Sequence, residues 1–155
     1  MDKLTLLRAM RETHAQLEAA VAALDDAALL APAPGMDGWT RKDVLAHVEW
    51  WNEHSVRVVE GVRTGLDPYQ ASGEAWDIDA HNARVLAHNR SRSAADVRRG
   101  EADTFRRLLA AVEDTTEDAL LVKDPVPWLD GTLAGVVADD SSAHYPEHLP
   151  HLAAH

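Results

Sequence analysis

The chain contains no cysteine. That excludes disulfides, thiolate metal ligands and a protein thiol nucleophile. It also fits the cytoplasmic location expected for this protein. Phe (one), Tyr (two) and Ile are scarce, and these are residues on which β-sheets draw. With Ala and Leu abundant, their shortage points to helices. No segment reaches the roughly 18 apolar residues of a membrane span. The N-terminus, Met1-Asp-Lys-Leu-Thr, has no apolar signal core. Basic residues are in the minority: 15 Lys and Arg against 26 Asp and Glu, a net charge of −11 with His neutral. Nucleic acids and anionic membranes bind through Lys and Arg, so neither is an expected partner. A chain of 155 residues that is 46% hydrophobic is expected to form one domain, residues 1–155, with a true core.

What is plentiful is histidine, with nine residues. Four of them, His144, His148, His151 and His155, lie in the C-terminal segment. At about 100° per residue they fall within a helical stripe about 60° wide. Imidazoles at i and i+4 can present two ligands to one divalent ion. Two ligands do not make a site, so a third must come from elsewhere.

The periodicity predicts four main helices and one short one. The first spans about 3 to 29, with Leu7, His14 and Val21 and then Met10, Leu17 and Leu24 recurring every seven residues. His14 stands where an apolar residue is expected, either as a buried hydrogen-bonded histidine or as a pocket-lining one. After the Pro/Gly-rich stretch 31–38, Thr40 and Asp43 form a capping-box pattern, with Trp39 and Val44 placed as a staple. The second helix, about 40 to 64, carries Val44, Val48, Trp51, Ser55, Val59 and Val62 inward and His47 at the edge of that face. A long connection follows, 65–75, and then a short helix, 77–89, with Ile78, His81, Val85 and His88 on one side. Ser93 caps the next helix, which runs to about Asp114 with Val97, Thr104, Leu108 and Val112 inward. Gly100 within it implies a break or close packing.

The last helix is expected from about 130 to the end, with Leu133, Val137, Asp140, His144, His148 and His151 inward. Pro146 and Pro150 lie opposite the histidines, so they either curve this helix toward the histidine face or end it near Tyr145. Asp140, one turn before His144, either orients a ligating imidazole or sits wet at the bundle mouth. The string His144-Tyr-Pro-Glu-His148 matches a short peptidase pattern, H-x-x-E-H. Only seven residues follow it, too few for the downstream carboxylate ligand such a site needs, and Glu147 is off the histidine face.

Two separated blocks carry a resemblance. Gly38-Trp-Thr-Arg-Lys-Asp-Val-Leu-Ala-His47 resembles the G-W-[ST]-x-x-D-[VIL]-[LI]-x-H motif of the DinB-like four-helix bundles, and Ser142-Ala-His144-Tyr-Pro-Glu-His148-Leu resembles their terminal block. Between them, the segments 77–84 and 127–131 resemble the ClbS/DfsB-like branch. The resemblance implies an all-α, up-down-down-up bundle whose long second-to-third connection carries the short extra helix. It also implies a divalent metal, Zn or Ni foremost, on His47, His144 and His148. His14, Trp51, His81, Asp140 and His151 are then pocket candidates, and no residue is singled out as catalytic. The implied activity is that of a metal-dependent hydrolase, or of a transferase using an external low-molecular-weight thiol, on a reactive small molecule. The ClbS-like alternative is a metal-free hydrolase or a binding and sequestering protein. A homodimer is the assembly expected of such bundles.

Overall fold

Side chains that can accept a hydrogen bond stand immediately before almost every helix in this chain. In the computed structural model, which describes residues 1–68 and 77–154, Asp2, Asp25, Thr40, Asp77, Ser93, Thr116 and Thr132 each accept from a backbone N–H in the first turn that follows. Those N–H groups have no partner within the helix, and each cap contributes about 1 kcal/mol. The helices so defined are α1 (Lys3–Ala22), α2 (Asp26–Leu30), α3 (Arg41–Thr64), α4 (Ile78–Asn89), α5 (Ala94–Glu113), α6 (Glu117–Leu121), α7 (Leu133–Asp140) and α8 (His144–Leu152). No strand is present among the described residues; two isolated bridges, Pro32 to Thr40 and Lys123 to Thr132, pinch the two Pro/Gly connectors. The architecture is the expected all-α bundle, formed by α1, α3, α5 and the α7–α8 pair. None of its described helices is long and apolar enough to cross a membrane.

The capping box at Thr40 and Asp43 is present in full, and Trp39 packs into the same apolar cluster as Val44. That fixes the start of α3, the longest helix, which lies along α5. The core holds Leu6, Met10, Leu17, Val44, Val48, Leu108, Val112, Val137 and Tyr145. Gly100 does not break α5; the Glu49 and Arg92 side chains, paired with each other, press against it. Trp51 and Val62 are only partly buried, and the apolar face assigned to α4 is shallow, with Ile78 and His88 exposed.

Three boundaries differ from the periodicity. The first helix ends at Ala22, because Asp25 caps a new turn and restarts the chain as α2. A short helix, α6, forms where none is expected, capped by Thr116. The last helix is two helices: Ser141, at φ −125° and ψ −90°, ends α7, and α8 starts at His144. The break is therefore not at Pro146. That proline falls in the first turn of α8, where a missing N–H costs nothing. Tyr145 N–H there already bonds back to the Ser141 carbonyl at 2.8 Å. Pro150 lies inside α8 and forgoes one bond, yet the helix continues to Leu152. Most of the long connection, 69–76, and His155, the last of the four phased histidines, lie outside the described residues.

Candidate metal centre

The break at Ser141 places His144 at the very start of α8 and His148 one turn later, both facing His47 on α3. The three Nε2 atoms converge: His47 to His144 at 3.1 Å and His148 to His144 at 2.9 Å. All three ligand atoms lie within 4.8 Å of one another. His47 and His148 are buried and His144 is half-buried. Trp39 meets His47 edge-on at 5.5 Å, and Trp51 lies 6.2 Å from both His47 and His144. These rings open onto a cleft of about 420 Å³ whose walls include Met36, Trp39, Trp51, Asp140 and Glu147.

Burial keeps the imidazoles neutral. Desolvation, followed by the charge of their neighbours, pushes His47 and His148 down to about 3. Desolvation lowers His144 as well, partly opposed by Glu147 and Asp140. Neutral imidazole is the form that binds metal.

The donor set fits a divalent ion better than it fits itself. Each neutral imidazole carries one ring proton, and His144 Nε2 faces two other Nε2 atoms. A proton there gives His144 a bond but leaves its Nδ1 a bare acceptor, and that buried atom has no hydrogen-bond partner. An ion held by the three Nε2 atoms would leave the ring proton of His144 on Nδ1, and the Asp140 backbone already acts on this ring. His148 shows the matching arrangement, its Nδ1 lying 3.1 Å from His151 Nδ1. A ligating histidine characteristically donates its second N–H in this way, which fixes the ring.

The other expected pocket residues separate. His151 abuts the triad through His148, and Trp51 lines the cleft. Asp140 also lines it, but its carboxylate does not orient a ligating imidazole, nor is it left wet. Oδ2 accepts from His54 Nδ1 and from Ser55 Oγ, both at 2.7 Å. His81 packs on Trp50 at 3.8 Å between ring centroids; its charge acts on His47, but its ring does not join the three converging imidazoles. His14 lies elsewhere, stacked on Phe105 at 3.5 Å and paired with buried Glu101 at 2.6 Å. It lines a separate groove of about 450 Å³ between α1 and α5.

Sequence reasoning passed over His54 and Ser55 as partners of Asp140. The signal was available. A buried carboxylate on α7 requires donors, and α3 offers two adjacent ones.

A helical bundle of this form is a DinB-like protein, in the superfamily that includes the ClbS/DfsB-like branch. The family model for the mycothiol maleylpyruvate isomerase N-terminal domain matches residues 10–145, and the chain belongs to that family. Among solved structures it is similar to ClbS, the colibactin self-resistance protein in complex with double-stranded DNA (14% identity, TM-score 0.82, covering 97% of this chain and 93% of that one). It is similar to an uncharacterised protein from Escherichia coli UTI89 (16% identity, TM-score 0.83, 97% and 90%). It is also similar to the mycothiol-dependent maleylpyruvate isomerase (19% identity, TM-score 0.80), covering 99% of this chain but 62% of the isomerase. No curated protein matches the sequence.

Proposed function

We propose that this protein is a divalent-metal-dependent enzyme in which His47, His144 and His148 hold the ion, Zn or Ni foremost. Its reaction is transfer of an external low-molecular-weight thiol to a reactive small molecule, or hydrolysis of that molecule. The observation that carries this reading is the convergence of three Nε2 atoms at 2.9 and 3.1 Å, two of them on buried histidines, on the wall of a cleft. Three neutral nitrogen ligands leave coordination positions open, and an ion held there supplies Lewis acidity to a thiol, water or carbonyl. The chain's own residues prepare the site. Burial suppresses protonation of the ligands. His151 Nδ1 is placed to accept the second N–H of a ligating His148, and Asp140 ties α7 to α3 through His54 and Ser55 just before the chain turns into α8. The family match supports the thiol branch, since its named member is mycothiol-dependent. The ClbS structure holds DNA, whereas this chain's charge of −11 opposes that partner.

The test compares the Zn- or Ni-loaded protein with its His47→Ala/His148→Ala variant in two assays. One follows displacement of chloride from 1-chloro-2,4-dinitrobenzene by glutathione; the other follows hydrolysis of 4-nitrophenyl acetate without thiol. A rate roughly tenfold or more above the variant in either supports the reading. Equal rates in both would overturn it.

A further inference from the structure

The cleft in front of the three histidines is acidic and aromatic. Asp139, Asp140 and Glu147 line it, Asp140 being 8% exposed and the other two exposed. Trp39 and Trp51 line it beside His47, and Met36 and Ile78 extend the apolar wall. No Lys or Arg is among the described residues that line it. The segment 69–76 contributes no basic residue to the sequence either. Arg41 donates to the Ala153 and Ala28 carbonyls and Arg92 to Glu49 and Asn89, while Arg84, whose charge acts on His81, is not part of the lining.

This composition selects against one class of substrate. A dicarboxylate such as maleylpyruvate requires donors or positive charge for the carboxylate that the metal does not take. Here that end would meet the exposed Asp139 and Glu147, with Asp140 already bonded to His54 and Ser55. An ammonium group gains from the same surroundings twice, by charge and by the two indoles. Resting on the reading of this cleft as the active site, the geometry points to a substrate that is an amine-bearing, partly apolar small molecule, its cationic end held by Glu147 and Asp139 between Trp39 and Trp51. The family's named substrate would then be a poor one for this chain.

Two rigid thiols of the same shape test this: 4-(aminomethyl)benzenethiol and 4-mercaptophenylacetate. The para-substituted ring prevents the charged end from reaching the metal that the sulfur occupies. Affinities are measured by calorimetry on the Co²⁺-loaded protein, with the cobalt visible band reporting sulfur coordination, and again on metal-free protein. The expected result is that the amine binds about tenfold more tightly, and that Asp139→Asn/Glu147→Gln closes most of the gap. Both positions are exposed, so the variant folds. Equal or tighter binding of the carboxylate by the cobalt-loaded protein would overturn the inference while leaving the metal site standing. Should the protein take up no cobalt, yet the amine still bind preferentially with the same dependence on Asp139 and Glu147, the metal reading fails and the charge preference stands. If the preference survives Asp139→Asn/Glu147→Gln unchanged, these carboxylates are not its source and the proposal falls.

Discussion

Acid should unfold the metal-free protein in a way that counts its buried imidazoles. His47 and His148 are held near 3 in the folded chain but titrate near 6.5 when unfolded. Below pH 6.5 the unfolded state therefore binds protons that the folded state refuses. The stability they contribute is complete above that value and drains away as pH falls toward 3. Each refused proton is worth about 1.4 kcal/mol per pH unit, so the two together give a slope of about 2.7 kcal/mol per unit between roughly pH 5.5 and 4. His144 is shifted the same way and adds to it. The carboxylates titrate in the same range, so the slope of the wild type alone is not diagnostic. The informative quantity is the difference from His47→Gln/His148→Gln, which keeps the carboxylates and removes the two imidazoles. Urea unfolding in chelator, followed by tryptophan fluorescence at half-unit steps from pH 6.5 to 4.5, measures both. The wild-type stability should fall more steeply by about 2 to 3 kcal/mol per pH unit. Parallel curves would refute the reasoning, because they would mean that the rings are solvated and free to protonate in the fold.

Three further outcomes follow from particular contacts. Zn²⁺ at a hundredfold excess over its dissociation constant should stabilise the protein by about 2.7 kcal/mol, a rise in Tm of roughly 5 to 10 °C by differential scanning fluorimetry, and His47→Ala should abolish the rise. Tyr145→Phe should cost about 1 to 3 kcal/mol in urea unfolding, because the buried hydroxyl donates to Asn52 Oδ1 at 2.6 Å and leaves that oxygen unmatched when removed. Gly61→Ala should destabilise by about 1 to 3 kcal/mol although it improves helix propensity. A Cβ there would sit 2.7 Å from the Leu66 carbonyl and 2.9 Å from Pro68, and an increase in stability would show that this turn yields.

The parts of the fold governed by local rules were legible in the sequence. Thr40 with Asp43, and Ser93 ahead of α5, set helix starts through side chain to backbone bonds a few residues apart. The heptad spacing of Met10 and Leu17 located the inner face of α1. What was not legible depended on distant partners. A wheel drawn through residues 130–155 assumes one helix, and only tertiary packing makes Ser141 the hinge. Pro146 draws the eye as a breaker, but the break at Ser141, five residues earlier, makes it the third residue of α8, where it is harmless. Asp140 was placed on the inner face, yet its partners His54 and Ser55 come from α3, more than eighty residues earlier. His14 reads first as a buried hydrogen-bonded histidine and second as a pocket residue, but its partner Glu101 lies on α5, out of reach of any local pattern. The proximity of His47, His144 and His148 rested on resemblance rather than on any local pattern; the folded chain brings those three rings together.

The metal content of the protein purified without a tag and without chelator tests the central claim most directly. Elemental analysis should find about one divalent ion per chain, lost in His47→Ala and in His148→Ala variants that retain helical circular dichroism. A wild-type protein that carries no ion, takes up neither Zn²⁺ nor Ni²⁺ on dialysis, and matches its variants in stability would contradict it.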